Sequence, residues 1–157
     1  ENGTVTIPEK PILFVPHVVG VRAGSDVVFR NASTRPENVK WSSTNNGQFS
    51  PLVPPSLHVF TIENTKPERV AISVTSAIYP WMQAFVWVFD HPYFAVTDGD
   101  GNFEIKFAPR GNLRLAMWQE SMGFRNGREG RWGEPIRAPG GRLDLGEIQL
   151  KPPAANR

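Results

Sequence analysis

The chain has no cysteine. That excludes a disulfide scaffold, thiol catalysis and any thiolate metal site. Histidine is scarce. His17, His58 and His91 lie on three separate stretches without ligand-like spacing, so each is read as structural or superficial rather than as a metal ligand. No run of about twenty apolar residues exists, and no transmembrane segment is expected in this chain. There is no glycine-rich phosphate loop, nucleophile elbow or His-Glu-x-x-His pattern, so the chain is read as non-enzymatic. A formal net charge of +2 is too small to argue for nucleic acid, which is not an expected partner. The opening Glu1-Asn-Gly-Thr4 carries no signal-peptide pattern, as expected equally of a processed mature protein and of a trimmed chain.

The 157 residues are 39% hydrophobic and 20% charged, with 15 prolines and 14 glycines that punctuate short apolar runs. That pattern describes strands joined by tight turns. Ile12–Val15 and Val18–Val21 are β-branched runs divided by Pro16, and Asp26–Arg30 follows the turn signal Ala23-Gly24. Leu57–Ile62 alternates, with Leu57, Val59 and Thr61 on one face, and Arg69–Thr75 sets Val70, Ile72 and Val74 on one side. Gln83–Phe89 is almost wholly apolar, as a strand covered on both faces would be. Phe94–Thr97 and Phe103–Phe107 flank Asp98-Gly-Asp-Gly-Asn102 and read as a hairpin. Leu113–Trp118 and Arg142–Leu150 read as further strands, and residues 119–141 as a long basic loop. No amphipathic helix longer than about two turns is visible, so an all-β sandwich is expected.

The segment Ser76-Ala-Ile-Tyr79-Pro-Trp-Met82 has the spacing of a blue-copper ligand loop. Such a centre uses one cysteine thiolate, two histidine nitrogens and a weak axial methionine. Here serine and tyrosine stand at two of the ligand positions. With Phe14-Val-Pro-His17, Asn38-Val39, Pro54-Pro55, Asp90-His-Pro-Tyr-Phe-Ala-Val-Thr-Asp98 and Gly101-Asn-Phe-Glu-Ile105, residues of about 10–150 resemble secreted bacterial proteins that join a cupredoxin-like half to a carboxypeptidase-regulatory-like (transthyretin-like) half. The resemblance implies a Greek-key cupredoxin-like domain at residues 1–90, continuous with a smaller transthyretin-like β-sandwich at residues 91–157. It places the four former ligand positions at Glu37, Ser76, Tyr79 and Met82, and it implies an extracytoplasmic, periplasmic location.

Copper in a blue site depends on soft thiolate and imidazole donors. A serine hydroxyl is far less acidic than a thiol, and a tyrosine phenol has a reference pKa of about 10. No metal and no cofactor are therefore expected. In their place Glu37 is expected to accept a hydrogen bond from Tyr79 or Ser76. The expected role is interaction with a protein partner, concretely as an accessory subunit of a membrane-associated electron-transport complex. Trp81, Pro92, Tyr93, Phe94 and Trp132 are the expected contacts, because aromatic side chains dominate interfaces.

Several alternatives stand beside this reading. One is a small-ligand or carbohydrate binder using exposed indoles such as Trp41 and Trp132. Another is a metal-binding protein with an atypical hard-ligand site at Glu37, Tyr79 and Met82. Asp98, Asp100, Asn102 and Glu104 alternate as calcium-loop oxygens do, although Asp-Gly is also a hairpin signal. Arg125, Arg128, Arg131, Arg137 and Arg142 form a basic stretch read as a solvated face, with an anionic partner or lipid head groups as the other reading. Asn2-Gly-Thr4 and Asn31-Ala-Ser33 match the glycosylation sequon.

Overall fold

A computed structural model of the chain describes residues 2–10 and 12–150. The elements, in chain order, are β1 (Gly3–Ile7), β2 (Val18–Arg22), β3 (Val27–Asn31), β4 (Glu37–Asn38), β5 (Lys40–Ser42), β6 (Gln48–Phe49), β7 (Leu52–Val53), β8 (His58–Ile62), β9 (Ile72–Thr75), β10 (Gln83–Phe89), β11 (Gly111–Leu115), β12 (Trp118–Gln119), β13 (Gly123–Phe124), a short 3-10 helix (Gly127–Trp132) and β14 (Glu134–Ala138). The fold class is all-β. The chain divides into two compact units, Glu1–Ile105 and Lys106–Arg157.

The first unit holds a three-stranded sheet in the order β1-β3-β8 and a five-stranded sheet in the order β2-β10-β9-β5-β6. β1 runs parallel to β3 and β2 parallel to β10, so both sheets are entered by crossovers rather than hairpins. Alternation decides what lies between them. Val5, Ile7, Val27, Phe29 and Ile62 come from the smaller sheet, and Val19, Val21, Trp41, Ile72, Val74, Val86 and Val88 from the larger. Phe29 meets Trp41 edge-on with ring centroids 6.1 Å apart. Fully burying each such aliphatic side chain is worth about 1.5–3 kcal/mol, so these strand faces supply most of the unit's cohesion.

β10 covers the stretch expected of it, and it is central, paired with β2 and β9. Its inner residues Ala84, Val86 and Val88 are buried. Its other face carries Phe85, Trp87 and Phe89, and the Phe94 ring stacks on Phe89 at 4.4 Å. Gly20 on β2 makes room for this: a Cβ there would sit 2.8 Å from two Phe94 ring carbons.

Other expectations needed correction. Ile12–Val15 is not a strand; only Val15 pairs, exchanging two hydrogen bonds with Thr6, and Pro16 then removes the next donor. For β8 the sequence left the inward face open; Val59 and the preceding Leu57 are exposed, while Phe60 and Ile62 face the core. Val70 is exposed and β9 begins only at Ile72. The Asp98–Asn102 turn closes through Asp98 N–H to the Asn102 carbonyl at 2.9 Å, yet no strand ladder flanks it. Asn31 is buried, and its amide donates to the Arg35 and Val53 carbonyls, so that sequon is closed to modification.

The second unit contains the antiparallel pairs β11–β14 and β12–β13. Residues 119–141, expected as a loop, instead hold β13, the 3-10 helix and β14. Gly130 permits this. Its missing side chain lets the helix lie against the Arg125 carbonyl, 1.6 Å from where a Cβ would stand. Arg142–Leu150, expected as a strand, has no ladder partner among the described residues.

Candidate functional site

Glu37 opens the chain's return into the larger sheet. The short β4–β7 ladder, Glu37 opposite Val53 and Asn38 opposite Leu52, fixes its backbone. Glu37, Val39 and Trp41 then all point inward. The neighbouring Asn38 ties three segments together. Its amide nitrogen donates to the Ser50 carbonyl (3.2 Å), the Ser50 hydroxyl (3.2 Å) and the Pro51 carbonyl (3.0 Å), and its Oδ1 accepts the Ala77 N–H at 2.9 Å. That last bond joins the Glu37 strand to the 76–82 loop.

The loop is closed by its own hydrogen bonds. Ser76 Oγ accepts the backbone N–H groups of Ile78 and Tyr79, both at 3.1 Å, and the Tyr79 carbonyl accepts the Met82 N–H at 2.9 Å. Met82 is fully buried, and Tyr79 is partly buried against the core. Asn38 thus links the strand that carries Glu37 to the loop that carries Ser76, Tyr79 and Met82.

The expected hydrogen bond from Tyr79 or Ser76 to Glu37 is not made. Glu37 is 0% exposed, and neither carboxylate oxygen has a hydrogen-bond partner. Burial pushes its pKa above the ordinary 4.5; Arg35 partly opposes the shift and Glu9 adds to it. The Ser76 oxygen is instead turned onto the loop's N–H groups, the two-and-three-residue pattern by which serine stabilises tight turns.

The donor set can be tested against copper on this geometry. The serine oxygen is occupied as an acceptor, the carboxyl is held toward its neutral form by burial, and the remaining donors are a phenol and one thioether. A soft copper site requires thiolate and imidazole. The residues present do not fit the ion. Among the described residues no three His, Cys, Asp or Glu side chains converge in a group that could hold a metal ion.

Above this cluster the loop presents an apolar tip. Trp81 is 67% exposed, and Ile78 is also exposed. Trp81 Nε1 donates to the Ile12 carbonyl at 3.2 Å, and its ring lies 5.0 Å from the Tyr79 ring. The indole is therefore held in place while its face remains open.

The remaining sequence-predicted residues are dispersed. Pro92 and Tyr93 are exposed, Tyr93 beside His91, whereas Phe94 is engaged against Phe89. The His91 ring accepts the Tyr93 N–H at 3.2 Å. His17 and His58 contact the Gln83 and Pro55 carbonyls. Trp132 is exposed with the Arg131 guanidinium 4.8 Å over its ring. Trp41 is 1% exposed and so is not a surface platform for sugars. Asp98 accepts N–H bonds from the Asn102 backbone and side chain and from the Asp100 backbone, which hold its pKa below the ordinary 3.8 and commit it to the turn.

Sequence reasoning did not single out a shallow depression of about 370 Å³ lined by Asn46, Phe49, Phe60, Glu63 and Lys66. The Asn46 side chain is already spent on the Lys66 backbone, donating to its carbonyl and accepting its N–H. Alternate residues on β6 and β8 could have pointed to the exposed Phe49, but the pairing that gathers these side chains is long-range.

No protein-family model matches the chain, and no curated protein sequence matches it. Among solved structures it is similar to a purple cupredoxin from Nitrosopumilus maritimus, at 16% identity over 56% of this chain and 100% of that one, with a TM-score of 0.46. It is likewise similar to amicyanin from Paracoccus versutus, at 17% identity over 57% of this chain and 82% of that one, with a TM-score of 0.47. A reduced Cu(I) form of an amicyanin variant gives 16% identity, 56% and 82% coverage and a TM-score of 0.48. These are likenesses of fold, at low identity and over about half of the chain.

Proposed function

We propose that this chain is a non-enzymatic, metal-free interaction module on a cupredoxin-like framework, which docks a protein partner through the tip of the 76–82 loop. The reading includes an extracytoplasmic location and service as an accessory subunit of an electron-transport assembly. The transthyretin-like character of the C-terminal half belongs to the same reading.

The observation that carries it is the fixed, exposed Trp81. An indole left 67% open to water while its nitrogen and one face are anchored has little conformational freedom left to lose on binding. Hot spots at interfaces are enriched in tryptophan for its large area, and preorganisation lowers the cost of association. Beneath it, Ser76 and Asn38 spend their polar groups on holding the loop's shape. The cluster is thus used to present a surface.

The test is capture from a native envelope extract with the tagged chain and with Trp81→Ala. Trp81→Ala is expected to fold with stability within about 0.5 kcal/mol of the parent, as open surface positions do, and to lose the captured partner. Equal capture by both chains would remove the loop tip from the interface. Stoichiometric copper in the purified chain would overturn the metal-free reading.

A further inference from the structure

We infer that the outer face of the β11–β14 ladder is a docking surface for a bilayer bearing anionic phospholipid head groups. The sequence is electrically divided. Residues 106–157 contain ten Lys and Arg against five Asp and Glu, whereas residues 1–105 contain seven against ten. The fold sorts this charge further. In β11 and β14 the exposed positions are Asn112, Arg114, Pro135 and Arg137, and register sets Asn112 opposite Arg137 and Arg114 opposite Pro135. Two arginines therefore lie diagonally on one face.

The 3-10 helix extends that face. Arg114 Nε donates to the Trp132 carbonyl at 2.6 Å and Arg114 Nη2 to the Gly133 carbonyl at 2.7 Å. These bonds hold the helix end beside the ladder's outer side and place Arg131 and Trp132 there, both exposed. Glu134, by contrast, is on the opposite face of β14, where it pairs with Arg125 at 3.0 Å and accepts from Asn126 at 2.7 Å. Glu129 is the one acid on the helix itself and weakens the surface without reversing its sign. Arg137 has no acidic partner among the described residues.

The aromatic decides between polyanions. Trp132 is covered on one face by the Arg131 guanidinium, so it is not a free platform for stacking bases. An indole flanked by arginine beside the ladder suits a headgroup layer, where tryptophan's amphipathic ring partitions and basic residues meet anionic phosphates.

The full chain is mixed with phosphatidylcholine vesicles and with vesicles that also contain phosphatidylglycerol, and bound protein is measured by flotation. Binding is expected only to the anionic vesicles, and it should weaken as added salt shortens the Debye length. Each surface arginine lost should weaken binding about fivefold, so Arg131→Ala/Arg137→Ala should weaken it about 25-fold. Arg131→Lys/Arg137→Lys keeps the charge and should bind as the parent does, which separates charge from folding. Lys40→Ala/Lys66→Ala, in the first unit, should change nothing. Equal binding to neutral vesicles overturns the proposal, as does parent-like binding by the double alanine variant. Binding to duplex DNA with no binding to anionic vesicles also overturns it and assigns the face to nucleic acid.

Discussion

Replacing Glu37 should change how stability depends on pH, and the sign follows from burial. Below the ordinary glutamate value of 4.5 the carboxyl is protonated in both the folded and the unfolded chain. Above it the unfolded chain loses the proton while the folded chain keeps it, because desolvation raises the folded pKa. Folding then takes up a proton, so this residue's contribution is fully present below 4.5 and is lost as pH rises to the raised folded value. Within that window one group can tilt the free energy of unfolding by at most about 1.4 kcal/mol per pH unit. Glu37→Gln has no proton to exchange and should lack the tilt. Glu37→Met removes both unpartnered oxygens and keeps the unbranched shape, so at neutral pH it should be more stable than the parent by about 1–3 kcal/mol, the cost of an unsatisfied buried polar group. Urea denaturation of the three chains across a pH series measures both effects. If parent and Glu37→Gln curves run parallel, or if Glu37→Met is the least stable, the carboxyl is not an unpartnered group whose pKa burial raises.

Three further outcomes follow from particular contacts. Ser76→Ala removes the acceptor of two backbone N–H groups and should cost about 1–3 kcal/mol in chemical denaturation; unchanged stability would show the loop to be held elsewhere. Gly20→Ala drives a Cβ into Phe94 and should cost about 1–3 kcal/mol by overpacking, with the Phe94 ring resonances displaced in NMR spectra. The Asp98 carboxyl should titrate below 3.8 in carbon-detected NMR; an ordinary value would mean that its turn hydrogen bonds are absent in solution.

Much of the fold was legible because strands of period two announce themselves. β2, β3 and β10 fall where alternation or a continuous apolar run put them; the continuous run marks β10, which is central and carries apolar residues on both faces. β8 shows the limit. Its alternation was visible but its inward parity was not, because Ser56 and Leu57 take left-handed φ values of 67° and 68° and reset the direction in which the strand enters the sheet. The 119–141 segment was misread for a related reason. Its glycines and arginines look like loop composition, and only the pairing of β14 with β11 and the close seat of Gly130 give it order.

The amino-acid order alone determined the absence of a thiolate donor and the β class, since these depend on residue chemistry and local period. Only the tertiary structure decided that Ser76 turns onto its own loop, that Glu37 is enclosed without a partner, and that Trp81 stands open while Trp41 is enclosed. Hydrogen-bond partners and burial depend on which distant segments meet, and that information is in the pairing of strands rather than in any one stretch of chain.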